Sequence, residues 1–145
     1  MALTEEKLEK IESLLSKERS EWSKKIQELV KSISEPQKLA MAQTHMLSYR
    51  HMIVDKTMEL NILLGKKRSN DANYSKTRYQ FYKTNHDVRL DHREILEYIK
   101  SDMALRNRET NLIENQIAYY RQCIETLDKM GFAIKNRVTL ATNDI

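Results

Sequence analysis

The apolar positions of this chain fall into helical stripes with few interruptions. In residues 4–33, Leu8, Leu15, Trp22 and Leu29 recur every seven residues, flanked by Ile11, Ile26, Val30 and Ile33. That is the repeat of an amphipathic helix. Thr4 stands where an N-cap would, and Glu5 and Glu6 suit the positive end of the helix dipole. Glu18 and Lys25 interrupt the stripe, which predicts a first helix packed less tightly than the others and mobile at its start. Trp22 lies on the stripe, so packing is its expected role. Ser34-Glu35-Pro36-Gln37 restarts the helix, with Ser34 and Gln37 at capping-box spacing and Pro36 in the first turn. A second helix is expected over 36–64, with the stripe Leu39, Ala42, Met46, Tyr49, Ile53, Lys56, Leu60 and Leu63. Leu47, Val54, Met58 and Ile62 form another strip beside it, which predicts contacts on two sides. Gly65 is the expected stop, a residue suited to a left-handed terminal turn.

The stripe is then lost. Residues 65–86 read as a basic-aromatic loop, with turn residues from Ser69 to Asn73 and a short extended, β-like segment near 74–84. Asp91-His92-Arg93-Glu94 looks like a capped helix start, leading into Ile95, Tyr98 and Ile99. Ser101 and Asp102 either open a separate last helix or lie within a continuous one. The cleanest pattern of the chain follows: Ile113, Ile117, Tyr120, Ile124, Leu127, Gly131, Ile134, Val138 and Ala141 alternate by four and three. A stripe this long without a charged intruder predicts a coiled-coil seam between copies of the chain. The expected fold is therefore all-α: one elongated domain of long helices over residues 1–145, whose C-terminal helices (92–141) assemble it into a ring-like homo-oligomer.

Composition supports the helical reading. With two glycines and one proline in 145 residues and 32 % charged residues, the chain lacks the turn chemistry that β-rich folds require. Mean hydropathy is −0.70. Cys123 is the only cysteine, so an intracellular setting is expected. The charged beginning lacks the apolar segment of a signal peptide, and no apolar run reaches the ~20 residues of a membrane span. Neither a cofactor nor a membrane is expected.

Charge changes the picture at one place. The chain carries +4 overall, yet residues 65–85 (GKKRSNDANYSKTRYQFYKTN) hold six Lys/Arg against the single acid Asp71. Lys66, Lys67, Arg68, Lys76, Arg78 and Lys83 are interleaved with Tyr74, Tyr79, Phe81 and Tyr82. Cations between flat rings suit single-stranded nucleic acid, whose phosphates attract the former and whose unstacked bases meet the latter. Arg50 and Lys56, with His51, would extend the track upstream. The plainer reading is a solvated loop whose tyrosines pack on the helices. Catalysis finds no support: His45 and His51, like His86 and His92, are six apart rather than at a ligand spacing of four. Cys123 lies beside the last stripe and reads as a packed thiol.

Tyr119-Tyr120-Arg121-Gln122-Cys123-Ile124, followed by Gly131-Phe132-Ala133-Ile134-Lys135-Asn136, resembles the C-terminal helix of the UvsY-like recombination mediators of T-even-type phages. Tyr98-Ile99-Lys100-Ser101-Asp102 and Leu63-Leu64-Gly65-Lys66 are similar to two earlier stretches of that family. Met130 departs from it, standing where the family has a basic residue, and so do Thr57 and Glu59, which fall near a basic pair in the family's helix. The resemblance implies a protein that binds single-stranded DNA in the cytoplasm of an infected bacterial host. It would form a ring, a hexamer or heptamer, through its C-terminal helices, and help a RecA-like recombinase displace single-strand-binding protein. A helical scaffold or assembly chaperone, contacting an acidic protein through the basic stretch, is the alternative.

Overall fold

A computed structural model describes residues 2–85 and 89–143, with side chains to residue 140. His86 and the side chain of Ala141 fall outside it. Four α-helices follow one another: α1 (Glu5–Ile33), α2 (Leu39–Thr84), α3 (His92–Asp102) and α4 (Ala104–Asn143), with a short 3-10 turn, Pro36–Lys38, before α2. No strand occurs among the described residues.

The spine is α2, whose 46 residues extend about 69 Å at the α-helical rise. Contacts of Arg50 with Asp128, Arg68 with Glu114 and Asp71 with Arg106 run in opposite sequence directions, so α4 lies antiparallel along it. Glu5 meets Arg108 and Glu18 meets Tyr120, so α1 runs parallel to α4. The first half of α2 is thus the third member of a three-helix bundle, and its second half projects beyond α1 to meet α3.

The main core draws Trp22, Leu29 and Ile33 from α1, Ala42, Met46 and Ile53 from α2, and Tyr120, Cys123, Leu127, Met130 and Ile134 from α4. Gly131 lets α4 come close: a Cβ there would lie 3.3 Å from Met46 Cε. The interruptions in the α1 stripe are filled by polar contacts. Tyr120 OH donates to Glu18 Oε2 at 2.9 Å, and Arg19 donates to Oε1 of the buried Gln116 at 2.7 Å. The Lys25 ammonium lies 4.6 Å from the centre of the Trp22 ring, a cation–π contact. Burial pushes the Tyr119 and Tyr120 phenols up to about 12, so both remain neutral donors at physiological pH.

The structure corrects four expectations. Gly65 does not end a helix: its φ is not positive, and α2 runs through it to Thr84. Residues 65–84 are helical, not a loop, and 74–84 contains no extended segment. The Ser34–Gln37 capping box is absent; Ser34 Oγ donates instead to the Lys31 carbonyl at 2.7 Å, and Glu35 precedes the 3-10 turn. The stripe expected to join copies is covered by the chain's own helices. Ile113, Ile117, Tyr120, Leu127 and Ile134 are buried, Ile124 packs half-buried against the core, and Val138 alone is exposed, at 44 %. An unbroken heptad stripe demands apolar partners without specifying whose they are.

Two local readings hold. Thr4 Oγ1 accepts from Lys7 N at 3.2 Å, and Asp91 forms a full capping box with Glu94. The open question at Ser101–Asp102 is settled by a one-residue break at Met103.

Gly65 gives a clean test of the continuous helix. A Cβ there meets nothing within 4 Å, so Gly65→Ala is expected to stabilise the protomer by ~0.5–1 kcal/mol, chiefly by removing chain entropy from the unfolded state. Urea denaturation followed by circular dichroism reads this directly. A loss of stability would mean that the chain turns at this position.

Candidate nucleic-acid interface

The basic-aromatic stretch is helical because its stripe continues in polar form. Leu64, Lys67, Asp71, Tyr74, Arg78 and Tyr82 recur at intervals of three and four and turn inward. An apolar-period search passes over such a stripe, because Lys67, Asp71 and Arg78 pair by charge and hydrogen bond with α3 and α4, and only Leu64 and Tyr82 join apolar clusters there. Lys67 is only 8 % exposed; its Nζ lies 2.8 Å from Asp71 Oδ2 and 3.6 Å from Glu109 Oε1. Arg106 Nη1 reaches Asp71 Oδ1 at 3.0 Å, and its guanidinium lies 3.9 Å from the centre of the Tyr74 ring. Burial pushes the Asp71 carboxyl up, but hydrogen bonds and charge from Lys67 and Arg106 outweigh it and hold the group below its ordinary value.

A second group lies nearer the end of α2. Tyr82 OH donates to Asp102 Oδ2 at 2.6 Å, Arg78 Nε donates to the same oxygen at 3.1 Å, and Arg78 Nη2 donates to Tyr82 OH at 3.0 Å. The Arg78 guanidinium also lies over the Phe81 and Tyr82 rings at 4.6 and 4.9 Å. The bond to Tyr82, then that to Asp102, raises the Arg78 pKa, and the bond to Asp102 raises that of Tyr82. Asp102 thus ties the end of α3 to α2. Tyr79 shares a 2.9 Å hydrogen bond with His92 Nδ1 at the start of α3.

These contacts sort the expected DNA-contacting residues. Lys67, Arg78, Tyr74, Tyr79 and Tyr82 are engaged within the fold. Arg68 and Arg50 are paired at the surface, with Glu114 at 2.6 Å and Asp128 at 2.7 Å. Lys56 sits half-buried on the inward stripe of α2. Lys66, Lys76 and Lys83 are exposed and carry no ion pair among the described residues. Phe81 is 41 % exposed.

The structure brings Lys76 and Lys83 together with residues the sequence did not assign. Lys76, Tyr79, Gln80 and Lys83 of α2 and Leu96 and Ile99 of α3 line an open groove of ≈ 580 Å³. The two lysines are seven residues apart, hence on one helix face about 10 Å from each other along the axis. Leu96 was hidden beside the Ile95–Ile99 stripe; its exposure, 49 %, depends on where α3 docks. Tyr98 stacks on Tyr82 with centroids 5.2 Å apart and planes at 24°, and remains half exposed.

Comparison with protein-family models, with curated proteins and with solved structures finds no match to this chain. Among the described residues no group of His, Cys, Asp or Glu is arranged to hold a metal ion, and no helix is long and apolar enough to cross a membrane.

Proposed function

We propose that the chain is a non-enzymatic protein that binds single-stranded DNA through the groove between the end of α2 and α3. Lys76 and Lys83 carry this reading: two exposed cations on one face, above an apolar wall of Leu96 and Ile99. Phosphates would meet the lysines, while a base lies against the wall or the half-exposed rings beside it. Tyr74, Tyr79 and Tyr82 fix the geometry from behind. In the role that the resemblance implies, the chain mediates recombination. It would help a RecA-like recombinase replace single-strand-binding protein on the strand, and copies joined together would hold DNA that each site binds weakly.

Fluorescence anisotropy with labelled oligo-dT, titrated at several salt concentrations, tests the groove. Removing two phosphate contacts with Lys76→Ala/Lys83→Ala is expected to weaken binding and to flatten the slope of log K against log salt by about 1.4. Unchanged affinity would take the groove out of the mechanism. Wild-type protein that ignores oligo-dT at low salt would favour the scaffold reading, which the exposed apolar side of α2 also suits.

A further inference from the structure

The outward side of α2 carries Leu47, Met58 and Ile62 at 58, 60 and 58 % exposure, with the half-buried Val54 between them. This is the other strip of the two read from the sequence; the first meets α1 and α4. It runs about 22 Å along the helix. Beyond Ile62 the same face continues at intervals of three and four with Gly65, Ser69 and Ala72, and a Cβ at Gly65 would meet nothing within 4 Å. From Leu47 to Ala72 this face is therefore bulky first and small second; Lys76 and Lys83 then continue the row of Ile62 and Ser69.

A helix that fits such a face must be small where this one is bulky and bulky where it is small. An antiparallel copy of the same helix meets that condition from His51 to Ala72, and beyond it sets Leu47 along the aliphatic stem of the partner's Lys76. We propose that two copies of the chain pair antiparallel through this face of α2, about a twofold axis between Asn61 and Ile62. In that register Met58 faces the partner's Gly65, Val54 faces the partner's Ser69, and His51 faces the partner's Ala72. Ile62 packs near the axis against the partner's Ile62. A parallel pair would set bulk against bulk and leave a gap along the small half.

Charge selects the same register. Asp55, Glu59 and Lys66 are exposed along one edge of the face, and Asp55 has a neighbour in His51, 3.4 Å away. A twofold axis between antiparallel helices brings like edges together. Lys66 then stands at a height between the partner's Asp55 and Glu59, and the contact occurs twice. The axis also points the two α2–α3 ends away from each other. Ala72 and Lys76 also line the groove between α2 and α3, so pairing and a strand in that groove compete for them.

Analytical ultracentrifugation over a concentration series tests it, with circular dichroism as the check on folding. Wild-type chain is expected at dimer mass. Met58→Asp/Ile62→Asp is expected at monomer mass with unchanged helix content, because both residues are exposed in the protomer. Lys66→Glu should weaken the dimer several-fold, and adding Asp55→Lys/Glu59→Lys to that chain should restore it. A wild-type chain at monomer mass throughout, or a Met58→Asp/Ile62→Asp chain that keeps dimer mass, overturns the pairing. A dimer indifferent to Lys66→Glu, or not rescued, overturns the antiparallel register.

Discussion

Replacing Asp71 with alanine is expected to cost about 3–5 kcal/mol of stability, because it strands charges that the fold has already taken out of water. Lys67 would keep only Glu109, 3.6 Å away, and Arg106 would lose its 3.0 Å partner while held over the Tyr74 ring. Both cations lie where the start of α1 meets α2 and α4, next to the part of α2 that goes on to form the groove, so the loss should fall on the half of the molecule that positions it. The exposed pair Arg68–Glu114 supplies the contrast: its side chains are 61 and 42 % exposed, and Arg68→Ala should cost no more than ~1 kcal/mol. The sign with pH follows from the depressed carboxyl. An Asp whose folded pKa is below its ordinary 3.8 contributes stability that is complete above that value and fades as pH falls through the lower folded one. Urea denaturation of wild type and Asp71→Ala should therefore differ most near neutrality and converge below pH 3.8. A difference under ~1 kcal/mol at neutral pH would mean that Lys67 reaches solvent.

Leu127→Ala is expected to cost a similar ~3–5 kcal/mol, through lost burial and the cavity left behind. Leu127 is 0 % exposed among side chains from α1, α2 and α4 of one chain. The measurement also asks to whom the α4 stripe belongs. In the Met58→Asp/Ile62→Asp background, where the outward face of α2 is disabled, the unfolding midpoint should not depend on protein concentration. A midpoint that rises with concentration there would place the stripe between copies. Ile124→Asp is a poorer probe of assembly, since Ile124 packs against the core and its replacement disturbs folding first.

The stripes of α1, of the first half of α2 and of α4 are legible because apolar residues at helical period have few other uses in a chain with so few breakers. Caps at Thr4 and Asp91 are equally plain, being local chemistry. The second half of α2 was obscured for two physical reasons. Gly65 has the form of a stop, although a single glycine costs a helix only about 1 kcal/mol and long-range packing outweighs that. The inward stripe from Lys67 to Tyr82 is polar, and its burial makes sense only beside Arg106, Glu109 and Asp102, which are 20 or more residues away from their partners. Groove residues were half legible: Lys76 and Lys83 by charge and Tyr79 as a ring among them, Leu96 not at all.

By itself the sequence determined an all-helical chain, the periodicity of its stripes and the concentration of positive charge after Gly65, because each is a property of neighbours along the chain. Only the tertiary structure decided which partner each stripe meets and which cations remain at the surface. Covering a stripe and neutralising a charge are acts of distant residues. A heptad pattern is satisfied equally by the chain's own helix or by another copy's, and a lysine reads the same whether or not an aspartate waits beside it in the fold.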